Sequence, residues 1–285
     1  MKICYALLAV LALSSCDAFD KEETIPAFIL INSADLVTDP DQGANTHGIL
    51  DATVFADGVF VGTFEMPAVV PILQNGVSTI TVAAGIKNNG LSQDRIIYPF
   101  YDFTVRQINL LPNAIIPFTA DTTVTFQYYE NILNFEYEDF ENVGTGLVPF
   151  DASNATFIQI SEPAENVSIG QSLEVTLTPD SSIFFVATDW SLQNLPQGNN
   201  IYLEIDFKGD HPLEIGILAF NSTVLKVFAL GILPTDEWTK VYVDLTNEIA
   251  QQVNTNNFAV YLESRLGPND GEKRIYIDNL KFVYP

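Results

Sequence analysis

Strict alternation of apolar and polar residues dominates the second half of the chain. In Tyr202-Leu203-Glu204-Ile205-Asp206-Phe207 the apolar set is Leu203, Ile205 and Phe207. Val241, Val243 and Leu245 repeat the pattern, as do Phe258, Val260 and Leu262. A period of two marks strands with one face turned to a core, so these runs predict a two-sheet sandwich. From Ile25 to about Pro117, short apolar runs are separated by turn residues. Ala52-Thr53-Val54-Phe55 passes through Asp57-Gly58 into Val59-Phe60-Val61-Gly62-Thr63-Phe64, a hairpin signal. Thr79-Ile80-Thr81-Val82 is a further strand, running toward an Asn88-Asn89-Gly90 turn. Thr246 to Val253 is the one helix expected. Between Pro112 and Thr125 the composition shifts to Pro, Asn, Asp and Thr, placing a linker at 118–123. The prediction is all-β: a small Ig-like sandwich over 25–117, then a second β-domain over 124–285.

Composition narrows the function. The 285 residues carry 12 Lys plus Arg against 36 Asp plus Glu, a formal net charge of -24. Phosphate backbones are gripped by clustered cations, so nucleic acid is excluded as a partner. With 47% hydrophobic and 17% charged residues the chain can bury a core, which excludes disorder. The apolar run Ile3 to Leu13 is too short to span a bilayer, which takes about 20 helical residues, and behind Lys2 it reads as a secretion signal.

Leu13-Ser14-Ser15-Cys16 resembles the lipobox of bacterial lipoprotein precursors, which implies a signal peptide over 1–15 and lipidation of Cys16. Cys4 is the only other cysteine, so the processed chain has no thiol chemistry. Residues 16–24 form an acidic tether, and Lys21-Glu22-Glu23 resembles the acidic export signal of Bacteroidetes surface lipoproteins. The resemblance implies outer-membrane anchoring facing the cell surface. The spacing of strands and turns through Gly76 and Thr79-Ile80-Thr81-Val82 resembles small β-modules of the PEGA or carboxypeptidase-regulatory type.

In the second domain Asn134-Phe135-Glu136-Tyr137-Glu138-Asp139-Phe140-Glu141, Gly170-Gln171-Ser172-Leu173, Trp238 ahead of Val243-Asp244-Leu245, and Ile275-Tyr276-Ile277-Asp278-Asn279-Leu280 occur in order. The succession resembles the galactose-binding-like carbohydrate-binding modules, which are β-jelly rolls. That resemblance implies a structural calcium ion held by Glu138, Asp139 and Asp278, with Glu136 and Glu141 as substitutes. Such an ion takes six to eight oxygens.

Sugar sites pair aromatic faces with polar groups that meet hydroxyls. On the three alternating strands the residues opposite the core are Tyr202, Glu204 and Asp206, Tyr242 and Asp244, and Tyr261 and Glu263. A carbohydrate site of Tyr202, Glu204, Tyr242, Asp244, Tyr261 and Glu263 follows if the strands share one exposed face, and the acidity favours a neutral glycan. The expected function is non-catalytic glycan capture by a lipid-anchored surface protein. The alternatives are a structural or protein-interaction lipoprotein without sugar binding, and a degenerate or active glycoside hydrolase. Glu204-Ile205-Asp206-Phe207 resembles the Glu-x-Asp-x-x-Glu strand of jelly-roll glucanases, but Lys208 and Gly209 stand where the second Glu belongs, and cleavage takes two carboxylates. The expectation is therefore not an enzyme.

Overall fold

The computed structural model describes residues 24–190 and 192–285. The signal peptide, Cys16 and nearly all of the tether lie outside the described residues. The first unit contains β1 (Ala27–Ile31), β2 (Ser33–Val37), β3 (Asp51–Ala56), β4 (Val59–Glu65), β5 (Ala68–Ile72), β6 (Gly76–Lys87), β7 (Arg95–Ile97), β8 (Thr104–Leu110), β9 (Ile115–Pro117) and β10 (Thr123–Gln127). β4-β3-β6-β7 form one layer, with β8 also on β6. β5-β1-β9 and β10-β2 face it. Ile29, Val54, Val70, Val82 and Val124 fill the space between, all fully buried. The Asp57-Gly58 hairpin forms as the sequence predicts, with φ of 48° and 79°, the left-handed values that a two-residue hairpin turn needs. Asp57 Oδ1 also accepts the Thr79 N–H at 2.7 Å.

The domain boundary differs from the expected one. β10 runs parallel to β2, matching Val124 to Ala34 and Phe126 to Leu36, and Val124 and Phe126 sit in the first core. Residues 118–123 are therefore not a linker. They turn the chain from β9 to β10 inside one sandwich, with Phe118 buried and its N–H bonded to the Leu30 carbonyl. Turn-rich composition looks the same within a domain as between domains, which is why it misplaced the boundary.

The second unit contains β11 (Asn134–Glu138), β12 (Leu147–Pro149), β13 (Thr156–Ile160), β14 (Ser172–Leu177), β15 (Ile183–Thr188), β16 (Leu192–Gln193), β17 (Tyr202–Gly209), β18 (Leu213–Phe220), β19 (Val224–Ile232), β20 (Thr235–Asp244), helix α1 (Thr246–Ala250), β21 (Asn257–Arg265) and β22 (Lys273–Tyr284). Two 6-stranded sheets stack as a jelly roll: β13-β14-β22-β17-β20 with β11 on β22, and β12-β15-β21-β18-β19 with β16 on β21. Every apolar position of the three alternating runs lies in the core between them. In β22 the inward positions change from Ile275 and Ile277 to Leu280 and Phe282. Asn279 makes the switch with φ of 48°, a bulge that adds one residue and turns the strand over.

The two units share a packed seam. Tyr202, Tyr242 and Val283 of the jelly roll belong to the same buried cluster as Tyr98, Tyr101 and Tyr128 of the first sandwich. Asn89 donates its N–H to the Tyr242 carbonyl and accepts the Asp244 N–H on its side chain, both at 2.9 Å.

Candidate functional site

β17 and β20 are neighbours, with Tyr202 opposite Asp244 and Glu204 opposite Tyr242. The expected site residues on these strands thus share one face, but the first sandwich covers it. Tyr202, Glu204 and Tyr242 are buried. The Glu204 carboxylate accepts hydrogen bonds from Tyr98 at 2.7 Å and Tyr128 at 2.8 Å. Tyr101 and Tyr242 share a hydrogen bond at 3.1 Å, and the Tyr242 hydroxyl accepts the Gly48 N–H at 2.9 Å. Burial, followed by the charge of Glu204, raises the phenols of Tyr98, Tyr101, Tyr128 and Tyr242 well above their ordinary value. Lys281 donates to Ala44 O and to Tyr128. Burial pulls its ammonium down to about 8, against the attraction of Glu204. No glycan reaches Tyr202, Glu204 or Tyr242, and Asp244 is occupied at the start of α1, where it accepts the Thr246 N–H. The same cover seals the Glu204 of the glucanase-like run.

The residues of the calcium expectation are engaged within the chain. Glu138 accepts the N–H groups of Phe140 and Gly146, and Asp139 accepts that of Glu141. Asp278 accepts the Ser172 hydroxyl at 2.8 Å and the Asn279 N–H at 2.7 Å. Burial, reinforced by Asp206, pushes the Asp278 carboxyl up to about 7 against those hydrogen bonds. Among the described residues no group of three or more His, Cys, Asp or Glu is arranged to hold a metal. Glu138 and Asp139 close their own loop, whereas Asp278 reaches across to Ser172 and the Ile169 N–H.

Tyr261 and Glu263 lie on the other sheet, on the face turned away from both the core and the first sandwich. Register there sets Phe185, Glu263 and Glu214 in one row across β15, β21 and β18. Ala187, Tyr261, Gly216 and Phe228 form the next row, and Ala259, Leu218 and Lys226 the third. The Lys226 ammonium stands 4.7 Å from the Tyr261 ring centroid and 5.3 Å from that of Phe185. It pairs with Glu214 at 2.7 Å and with Glu263, which also takes Arg265. The Tyr261 hydroxyl donates to Glu214 at 2.6 Å. Burial opposes ionisation of Glu214, but the hydrogen bonds from Lys226 and Tyr261 outweigh it and hold the carboxyl below its ordinary value. Burial and then Glu214 raise the Tyr261 phenol. Tyr261 and Glu263, expected on an exposed face, are buried together with Phe185, covered by the half-exposed side chains of Glu214, Lys226 and Arg265, and Phe228 beside them is 57% exposed.

Phe185, Glu214, Lys226, Phe228 and Arg265 were missed by reading the sequence. Lys226 left a trace, as the one cation inside the apolar run Val224-Leu225-Lys226-Val227-Phe228 of a cation-poor chain. The others become visible only through register.

No family model and no curated protein matches the chain. Solved structures of similar layout include a mutant family 29 carbohydrate-binding module complexed with cellulohexaose, at 13% identity and a TM-score of 0.36, covering 54% of this chain and 93% of that one. Another mutant of the module, complexed with mannohexaose, is 14% identical at a TM-score of 0.35, covering 53% of this chain and 92% of that one.

Proposed function

We propose that the protein binds a neutral glycan without turning it over, through the open face of the second jelly-roll sheet, while Cys16 carries the lipid that holds it at the outer membrane and faces it outward. The observation that carries the reading is the ion-paired cluster of Glu214, Lys226 and Arg265, joined through buried Glu263, over the rings of Tyr261 and Phe185, with Phe228 at its side. A pyranose offers vicinal hydroxyls that both donate and accept, and alternating carboxylates and cations answer both roles. Phe228 supplies apolar area for the C–H face of a sugar. Mutual pairing holds the half-exposed side chains in place, which lowers the ordering cost of binding. The surplus of negative charge elsewhere repels acidic polysaccharides.

The test is retention of the full chain in affinity gels of neutral polysaccharides, with cellulohexaose and mannohexaose as first soluble competitors. The full chain is needed because removing the first sandwich would bare Tyr202, Tyr242 and Val283. Lys226→Ala and Phe228→Ala are each expected to weaken retention by roughly tenfold, as loss of about 1–2 kcal/mol from a contact residue does. Leu73→Ala, on an exposed side chain of the first sandwich, should leave it unchanged. Absence of retention on every neutral polysaccharide overturns the proposal.

A further inference from the structure

The first sandwich has two ends of opposite character. At one end it meets the jelly roll through Tyr98, Tyr101, Tyr128 and Asn89. The other end gathers the start of the described chain and three connections. Ala27 begins β1 opposite Ile72, the last residue of β5. Phe28 lies beside Ile115 at the start of β9, and the Asn113 N–H bonds to the Pro26 carbonyl. Gly76, opening β6, pairs with Leu110 at the close of β8. The Asp57-Gly58 hairpin arrives at the same level, its Asp57 N–H bonded to Thr79 O.

Large apolar side chains point outward from all of these segments. Ile25 is exposed at the chain start, and Val59 and Phe60 (63% and 61%) follow the hairpin turn. Leu73 and Val77 (68% and 71%) flank the β5–β6 connection, with Leu111 and Ile115 on the β8–β9 connection. Phe60, Phe64, Pro71 and Leu73 also line an apolar groove of about 460 Å³ there. Over 24–27, 56–60, 72–80 and 110–115 the single charged residue is Asp57, whose carboxylate is held by the Thr79 N–H. Monomeric soluble proteins rarely gather exposed apolar side chains in one place, and here the place is almost free of charge in a chain of net charge -24.

We infer that this end is a lipid-contacting surface: it seats Phe60, Leu73 and their neighbours in the headgroup region of the bilayer and stands the jelly roll away from it. The occupant follows from where the chain enters. Cys16 is eight residues before Thr24, a reach of roughly 27 Å at full extension, so an acyl group on Cys16 holds this end against the membrane. A nearly uncharged surface also escapes the repulsion that the rest of the protein would meet at anionic headgroups. One lipid chain or one apolar tip binds weakly, whereas two together anchor stably. The inference rests on the lipid-anchor reading, and its test is built to separate the two.

The chain from residue 16 onward, carrying Cys16→Ala and a preceding hexahistidine, is tethered to vesicles of zwitterionic lipid doped with a nickel-chelating lipid. The processed chain then has no other cysteine, so Val77→Cys takes a single polarity-sensitive dye, with Val253→Cys as the comparison site. On tethering, emission at position 77 should rise and shift to the blue, while that at 253 stays as in solution. Adding Phe60→Ser and Leu73→Ser should cut the rise by roughly fivefold or more, as loss of two inserted apolar side chains implies. No change at 77 in protein shown to be on the vesicles overturns the inference. So does a vesicle-independent dimer that Phe60→Ser abolishes, which would make a second copy the occupant. Acylation itself is read separately, from the intact mass of protein extracted from membranes, so failure of the anchor and failure of the surface give different results.

Discussion

Asp278 shows how one buried carboxyl sets a pH dependence. It lies on the strand bulge of β22, fully buried, beside Asp206. With its carboxyl pushed up to about 7, it keeps its proton in the folded chain at pH values where the unfolded chain has already released one. This component of stability is then greatest below about pH 4, falls as pH rises toward 7, and is level above that. At about 1.4 kcal/mol per unit of displacement, the fall is on the order of a few kcal/mol. Asp278→Asn carries no titrating group and should remove this component. Urea midpoints between pH 5 and 7.5 are expected to decline in the parent and to run flatter in the variant. An equally steep decline in both would assign it to another group.

At the scale of the strand, β18 depends on a missing side chain. A Cβ on Gly216 would run into the Val227 carbonyl oxygen and come within 2.6 Å of the Tyr261 ring. The ring therefore packs directly against the glycine, and Lys226 closes over the ring. Gly216→Ala should lower stability by about 1–3 kcal/mol, the usual range for overpacking, and weaken glycan retention by unseating Tyr261. Gly231→Ala, where an added Cβ meets nothing within 4 Å, is the matched control for melting temperature and retention. Strands of this kind reveal half of themselves in sequence. Leu203, Ile205, Phe207 and their counterparts were legible as core because alternation is local. The polar halves were not, because Tyr-plus-acid on β17 and β20 reads the same as Tyr-plus-acid on β21. Only long-range packing decides that the first pair is roofed by Tyr98 and Tyr128 and the second by Lys226. The parity switch in β22 was visible as Asp278 interrupting an apolar strand, but a bulge and a metal ligand interrupt a strand in the same way.

For the whole molecule, the seam between the units makes one cooperative body of two sandwiches. Glu204 joins them, as the acceptor for Tyr98 and Tyr128 and the carboxylate nearest Lys281. Glu204→Ala would strand two buried phenols and a buried ammonium, so a loss of about 3–5 kcal/mol is expected, with Glu204→Gln milder. Tryptophan fluorescence reports the jelly roll, since Trp190 and Trp238 both lie in it, while far-ultraviolet circular dichroism reports both units. The two transitions should coincide in the parent. Glu204→Ala should move the melt to lower denaturant or split it; an unchanged midpoint would mean that the seam is held by apolar packing alone.

The parallel pairing of β1 with β9 and of β2 with β10 bears on how the protein takes a load. A pull that enters at the chain start and leaves through the jelly roll draws β1 and β2 one way and β9 and β10 the other, along their own axes. The hydrogen bonds that join Phe28–Leu30 to Ile115–Pro117 and Ser33–Val37 to Thr123–Gln127 then share the force side by side. Resistance to tearing is governed by the unfolding barrier rather than by equilibrium stability, and this layout raises that barrier for a pull between the chain start and the jelly roll.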